Sequence, residues 1–417
     1  MTAPGWSDLW RVFGRIGLMS FGGPAAQIAL MHRDLVDDRK WLDESEYLRA
    51  LSFCMLLPGP EAMQLATYAG WKLRGVAGGF LAGLLFVLPG AAVILALAAA
   101  YAAWGEIPFV ASLFYGVKAC VVVIVIEALL RVAKRALKST LHRAFALLSF
   151  VALFALAMPF PLVIVIAACA GALLLTPPVA AISAARGHGH LLPTLTIGLA
   201  AWSLPLALLW LAGQGFLLAV GLFFSKLALV TFGGAYAVLA YMTQEVVQNY
   251  GWIGTPEMMD ALGLAETTPG PLILVTEFVG YLAAYKTSGW GLGVAAAILT
   301  LWVTFVPCFL WIFAFAPYLD WISTRPRLQS ALSGVTAAVV GVIGNLALWF
   351  ALHVLFRSLS QFAAGPLVLP WPDFSSLDPR AVAIAALAGF MLLRWHKPLW
   401  MVLSLSAAAG ALALLAG

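Results

Sequence analysis

Charge is what this chain has least of: 10% of its 417 residues are Asp, Glu, Lys or Arg, against 63% hydrophobic, and mean hydropathy is +0.99. So few charges cannot cover a soluble surface, and a bilayer is the solvent that suits the composition. Cysteine is scarce too. Cys54, Cys120, Cys169 and Cys308 stand alone in apolar segments with no CxxC or Cys/His spacing, so neither a disulfide framework nor a metal site nor any other cofactor is expected. His188 and His190, in an "RGHGH" stretch, read as solvated loop histidines. The opening "MTAPGWSDLW" has no basic lead into an apolar run and no cleavage pattern, so no secretory peptide is expected. Net charge is only +5, and the longest basic cluster, Arg131 to Arg143, lacks interleaved aromatics, which argues against nucleic acid as a partner. HExxH, Gly-x-Ser-x-Gly and paired-Asp patterns are missing, so the chain does not read as an enzyme, whether on lipid-linked substrates or otherwise.

What is abundant is long apolar sequence. Val76 to Ala103, Phe109 to Val132, Leu192 to Ala212, Leu292 to Tyr318 and Ala331 to Phe356 each meet the roughly 20 residues needed to cross a bilayer core. The expected fold is therefore an all-α polytopic membrane protein, with lipid around it and a homodimer left open.

The chain also repeats itself. "FGRIGLMSFGG" at Phe13 to Gly23 recurs as "FSKLALVTFGG" at Phe224 to Gly234, an offset of 211 residues. The same offset carries Trp41 onto Trp252, Glu46 onto Glu257 and Pro58-Gly59-Pro60 onto Pro269-Gly270-Pro271, and about a third of the positions from Phe21 to Pro60 are identical. The offset then grows to 218, pairing Gly116 with Gly334 and Glu127 with Asn345. Two homologous repeats of about six helical segments are expected, at residues 1–185 and 215–417, joined by a connecting loop and one extra helix at 186–214. An odd helix between repeats inverts the second. Loop charge favours inversion, since Arg131, Lys134, Arg135, Lys138 and Arg143 mark a cytoplasmic loop. Counting from it places the Trp104 to Pro108 loop outside and its partner around Arg325 and Arg327 inside. Arg33, Arg39 and Lys40 dissent from that count unless the first segments of each repeat are re-entrant.

In both copies one apolar helix meets a glycine pair, Gly22-Gly23 or Gly233-Gly234, and the next meets Pro-Gly-Pro. Proline removes a donor and glycine weakens a helix, so these points should be breaks. Broken helices in hydrocarbon persist only within protein or around a polar cavity, and a helix start there presents N–H groups to an anion. Ser20, Thr231 and Gln64 add polar groups at the breaks. Arg15 matches Lys226, and cations inside apolar helices need a partner or a substrate path; Arg11 has no such match and reads as snorkelling or paired with Asp8. Glu61, Glu266 and Glu277 flank the Pro-Gly-Pro triplets as candidates for proton coupling or as plain helix caps. The substrate-binding candidates are thus Arg15, Ser20, Gly22, Gly23, Pro58, Gly59, Pro60, Gln64, Lys226, Thr231, Gly233, Gly234, Pro269, Gly270 and Pro271.

"FGGP" at Phe21 to Pro24, "PGP" in both halves, "FGG" at Phe232 to Gly234 and "LPG" at Leu88 to Gly90, taken in their order and spacing, resemble the chromate ion transporter family in its long, two-domain form. That resemblance implies export of chromate across the bacterial inner membrane and chromate resistance, with sulfate as the look-alike. A carrier for uptake or exchange of sulfate or another oxyanion is the alternative. The second copy departs from the first, with Ala235 for Pro24 and Leu272 for Glu61.

Overall fold

The computed structural model describes residues 4–21, 23–176, 191–232, 235–323, 325–365 and 367–415. Gly22, Gly233, Gly234, His188 and His190 lie outside them. The first copy runs α1 (Trp6–Met19), α2 (Gly23–His32), a π-helical turn (Arg33–Asp38), α3 (Glu44–Cys54), α4 (Glu61–Trp104), α5 (Pro108–Ala136), α6 (Thr140–Phe154) and α7 (Phe160–Leu174). After α8 (Leu191–Leu211) the order returns as α9 (Gly215–Val230), α10 (Ala235–Thr243), a second π-helical turn (Gln244–Asn249), α11 (Thr255–Thr267) and α12 (Val275–Phe315). The short α13 (Leu319–Ser323), then α14 (Pro326–Leu355), α15 (Pro379–Gly389) and α16 (Leu399–Leu415) complete it.

One element departs from the all-helical expectation. Between α14 and α15 the chain forms an antiparallel hairpin, β1 (Leu359–Ala364) with β2 (Leu367–Pro372), pairing Leu359 with Pro372 and Ala364 with Leu367. The first copy has only residues 137–139 at that place, so the hairpin belongs to the second copy alone. The other regular elements among the described residues are helical. Among the described residues five helical stretches are long and apolar enough to cross a membrane: Glu61–Trp104, Pro108–Ala136, Leu191–Leu211, Leu272–Tyr318 and Pro326–Leu355. The protein is a multi-pass membrane protein.

The two longest helices are not straight. In α4, Arg74 leaves the helical region (φ −142°, ψ 26°) and Gly75 takes φ 64°; in α12, Ser288 (φ −152°, ψ 32°) and Gly289 (φ 72°) do the same. A positive φ of this kind is open to glycine at no steric cost. The chain folds back at both points: Gly70 meets Gly78 across the first kink, and Gly280 meets Thr300 across the second. Gly75 and Gly289 differ by 214 residues instead of 211, because a 3-10 turn (Leu272–Leu274) is inserted after the second Pro-Gly-Pro. Val275, not Leu272, thus opens α12 as Glu61 opens α4, which corrects the ungapped pairing of Leu272 with Glu61.

The chain forms two compact units that cut across the sequence copies: Met1–Ala102 with Pro178–Ala235 and Leu264–Pro326, and Ala103–Pro177 with Tyr236–Gly263 and Arg327–Gly417. In the first unit, α8 and α9 pack on α12. Two indoles fasten α8 reciprocally: Trp202 Nε1 donates to the Val303 carbonyl at 3.0 Å and Trp302 Nε1 to the Ala201 carbonyl at 2.9 Å.

In the second unit the helical pairs change partners. The pair α15–α16, from the second copy, packs on α5 of the first, where Gly116 lies against Ser406 and Gly410. Reciprocally, α6–α7 of the first copy pack on α14 of the second, with Gly341 against Ala146 and Gly334 against Gly171. Small residues at these crossings let backbones approach, the usual basis of helix association where burial against lipid gives little drive. His142 Nε2 lies 2.9 Å from Ser333 Oγ near the starts of α6 and α14, and Phe150 reaches Gly344 farther along, so these two helices run in the same direction.

Candidate functional site

α1 is amphipathic. Leu9, Val12, Phe13 and Ile16, at helical spacing, are buried, while Arg11 and Arg15 fall on the exposed side. It ends before the glycine pair, at Ser20, and α9 ends likewise at Thr231. Both residues share one conformation (φ −77°, ψ 62° and φ −76°, ψ 83°). The Phe21 N–H bonds the Met19 carbonyl at 2.9 Å, and the Phe232 N–H bonds the Val230 carbonyl at 3.0 Å. This is an inverse γ-turn at each helix end. The Ser20 and Thr231 hydroxyls donate to the carbonyls four residues back, Ile16 and Leu227, at 2.6 Å each, which satisfies part of the frayed turn.

The carbonyls of Ser20 and Thr231 are thereby turned away from their own helices, and each is taken by the other copy. Gly270 N–H donates to the Ser20 carbonyl at 2.9 Å; Gly59 N–H donates to the Thr231 carbonyl at 2.9 Å. The Pro-Gly-Pro of one copy thus closes the helix break of the other, twice over, inside the first compact unit. Positive φ at Gly59 (123°) and Gly270 (91°) lets each amide point outward between its prolines. Neighbours on the kinked helices complete the exchange. Gly90 of α4 sits against Pro269, and Cys308 of α12 sits where a Cβ on Gly59 would come within 2.8 Å of its sulfur.

A glutamine attends each crossing. Gln27 Nε2 donates to the Gly270 carbonyl at 2.7 Å and to the Ser20 carbonyl at 3.2 Å, and Gln64 Nε2 donates to the Pro58 carbonyl at 2.7 Å. Both side chains are buried, and both leave Oε1 without a partner. The expectation that Gly59 and Gly270 offer N–H groups to an anion therefore meets a competing use, since both are held by carbonyls here. Hydroxyls near the second break are likewise engaged by carbonyls: Thr67 with Met63 at 3.0 Å, Thr268 with Ala265 at 3.1 Å and Thr276 with Ile273 at 2.8 Å.

The charged candidates stand on separate elements, α1, α9, α4, α11 and α12. Arg15, half exposed, pairs through its guanidinium with Asp34, which is fully buried and whose Oδ2 has no partner. Lys226 is exposed on α9, and the position matching Asp34 in the second copy is Glu245. Glu61 is half-buried at the first position of α4 and Glu266 half-buried on α11. Glu277 is 1% exposed, and its Oε2 has no hydrogen-bond partner. Glu127 pairs with Arg131 at 2.6 Å, and Lys118 with Asp260 at 3.3 Å. Glu46 pairs with Lys72 at 2.7 Å, while Glu257 caps α11 by accepting from the Gly254 N–H at 2.7 Å. Among the described residues no cluster of three or more His, Cys, Asp or Glu could hold a metal.

Three participants escaped the sequence reading: Gln27, Asp34 and Cys308. Gln27 was detectable as a lone amide within an apolar helix. Asp34 stands in an acidic stretch that looks like a loop in the sequence, but the π-helical turn continues α2 and buries it.

The chromate transporter family profile matches residues 7–172 and again 218–412. The chain is 30% identical over 395 residues to a chromate transport protein of Cupriavidus metallidurans, covering 94% of each chain. It is 31% identical over 411 residues to a chromate transport protein of Pseudomonas aeruginosa, covering 93% of this chain and 92% of that one. It is 30% identical over 399 residues to a probable chromate transport protein of Synechococcus elongatus, covering 94% and 96%. No solved structure matches. With the profile covering both copies and relatives of this identity spanning almost the whole length, the chain belongs to the chromate transporter family.

Proposed function

We propose that this protein exports chromate from the bacterial cytoplasm across the inner membrane and so confers chromate resistance. The working parts are two inverted repeats, residues 1–185 and 215–417, joined by the 186–214 linker. The observation that carries this reading, beyond the relatives' names, is the reciprocal exchange at Ser20–Gly270 and Thr231–Gly59. Two carbonyls and two glycine N–H groups hold one another where both copies break. An oxyanion is a stronger acceptor than a carbonyl, so a rocking motion that parts these pairs hands two N–H donors to the substrate. Ser20, Thr231, Gln64, the two glycine pairs and the two Pro-Gly-Pro triplets line that path, and Arg15 and Lys226 offset the dianion's charge.

Inversion is supported by the parallel run of α6 and α14. The Arg131–Arg143 loop leads into α6, and Arg327 stands in the first turn of α14, so these basic residues share one end. The counterpart of that second end in the first copy is the Trp104–Pro108 loop, which lies across α5 from Arg131.

A cell-negative potential favours anion exit by about 2.3 kcal/mol per charge per 100 mV, and twice that for a dianion. Proton coupling would add to it through Glu61, Glu266 or Glu277. Glu61 stands where the positive end of α4 would receive an anion, so its ionised carboxylate and the substrate compete for the same N–H groups. The test is chromate accumulation in inverted vesicles, with sulfate as competitor and with proton gradient and potential collapsed separately. Absence of chromate movement under every condition would refute the substrate.

A further inference from the structure

The second compact unit holds a cavity of about 460 Å³ that the transport path described above does not use. Its walls are the second π-helical turn with the start of α11, the C-terminal half of α14, the end of α6, and the β1–β2 hairpin that roofs it. Its polar lining includes Gln244, Gln248, Asn345, Gln361 and His353, with Trp349 beside them, and among the described residues that line it there is no Asp, Glu, Lys or Arg. His353 is held in place, with Nδ1 2.8 Å from the Trp349 carbonyl and its ring 4.1 Å from the indole.

The sequence duplication gives this lining a history. Gln244, Gln248 and Asn345 occupy the positions of Arg33, Asp37 and Glu127 in the first copy. Every one of these charges is an amide in the second copy, and all three amides face one cavity. The hairpin that supplies Gln361 is likewise missing from the first copy. Replacing a carboxylate by an amide turns an acceptor-only group into an N–H donor and removes repulsion against an anion. Replacing the arginine at the same time leaves recognition to neutral donors. A π-helical turn at the wall adds to the case, because such turns are frequent at functional sites.

We infer that this cavity is a second site for a tetrahedral oxyanion, held by the side-chain N–H groups of Gln244, Gln248, Asn345 and Gln361 at the end of α14 away from Arg327. The inference rests on the reading of the chain as an oxyanion carrier. Neutral donors without a fixed cation suit a station that the anion can leave.

Chromate absorbs where tryptophan emits, so a chromate ion in the cavity quenches Trp349. The full chain, in lipid nanodiscs, is titrated with chromate and then with sulfate as competitor. A saturable quenching component is expected that sulfate displaces and that Trp349→Phe removes. Gln248→Asp and Asn345→Asp, which restore the first copy's acid character, should each weaken it tenfold or more; elution as a monodisperse peak shows that these variants fold. The inference is overturned if the component ignores both acid variants, survives Trp349→Phe, or is displaced as well by uncharged glycerol as by sulfate. Vesicles that transport chromate without this component would sink the second site alone. A component that persists in a protein moving no chromate would sink the transport reading and leave the site standing.

Discussion

Removing either partner of the Arg15–Asp34 pair should have unequal consequences, because the two groups are unequally exposed. Arg15 is 49% exposed at its side chain and Asp34 0%. Arg15→Ala leaves a buried carboxylate whose Oδ2 already lacks a partner, and stranding such a charge costs about 3–5 kcal/mol. Asp34→Asn leaves a guanidinium that can reach water or headgroups along its aliphatic stem, and the loss should be about 0–1 kcal/mol. Transport should separate the two further. If Arg15 meets the anion, Arg15→Ala removes a charge-assisted contact of about 1.5–3 kcal/mol, roughly a 10- to 150-fold loss of chromate affinity. Asp34→Asn frees the same guanidinium and should leave affinity intact or raise it. The double variant Arg15→Ala/Asp34→Asn should regain stability but not transport. Thermal unfolding followed by size-exclusion chromatography reads the first quantity, and initial rates in inverted vesicles read the second. Equal destabilisation by the two single variants, or equal loss of transport, would refute this account of the pair.

Three other expectations concern the scaffold. Trp202→Phe and Trp302→Phe should each lower stability by about 0.5–1.5 kcal/mol and roughly add when combined, read by the same unfolding assay, because each removes one indole donor between α8 and α12. Gly341→Ala should destabilise by about 1–3 kcal/mol, since its Cβ would collide with the Ala146 carbonyl, whereas Gly344→Ala, nearest neighbour Phe150 at 3.5 Å, should be neutral or gain a few tenths from helix propensity. With the other cysteines replaced, Trp104→Cys should react with an impermeant maleimide in intact cells and Arg327→Cys should not; the same reactivity at both positions would contradict inversion.

The helices were legible because the apolar stretches are long and strictly bounded. Three of the five sequence spans fall inside the helical stretches that the structure shows, and the other two, ending at Ala212 and Phe356, overrun theirs by one residue. The breaks were legible because Pro-Gly-Pro recurs at a fixed spacing. Three things were not. Partner exchange between copies, with α6–α7 on α14 and α15–α16 on α5, leaves no trace in periodicity, since lipid-facing and helix-facing surfaces are both apolar. The hairpin at 359–372 has no counterpart in the first copy, so the duplication could not announce it. The use of Gly59 and Gly270 as donors to Thr231 and Ser20 depends on which backbone groups meet in space. Proline and glycine foretell that groups are freed but not what takes them.

The symmetry of the breaks sharpens the meaning of their asymmetry. Both glutamines at the crossings, Gln27 and Gln64, come from the first copy; Val238 stands opposite Gln27, and opposite Gln64 the second copy has Val275 or, once the inserted 3-10 turn is counted, Phe278. At the π-helical turns the difference runs the other way, with Arg33, Asp37 and Asp38 of the first copy replaced by Gln244, Gln248 and Asn249 in the second, while Asp34 keeps an acid counterpart in Glu245. A backbone exchange that obeys the duplication has thus been kept, while side chains able to touch a substrate have diverged in different places. If the two copies served equivalent halves of one path, an amide gained at a crossing in one copy would be as useful in the other. Their separation means that the two copies are not equivalent: amides of the first copy stand at the paired breaks of the first compact unit, and amides of the second stand in the cavity under the hairpin of the second unit.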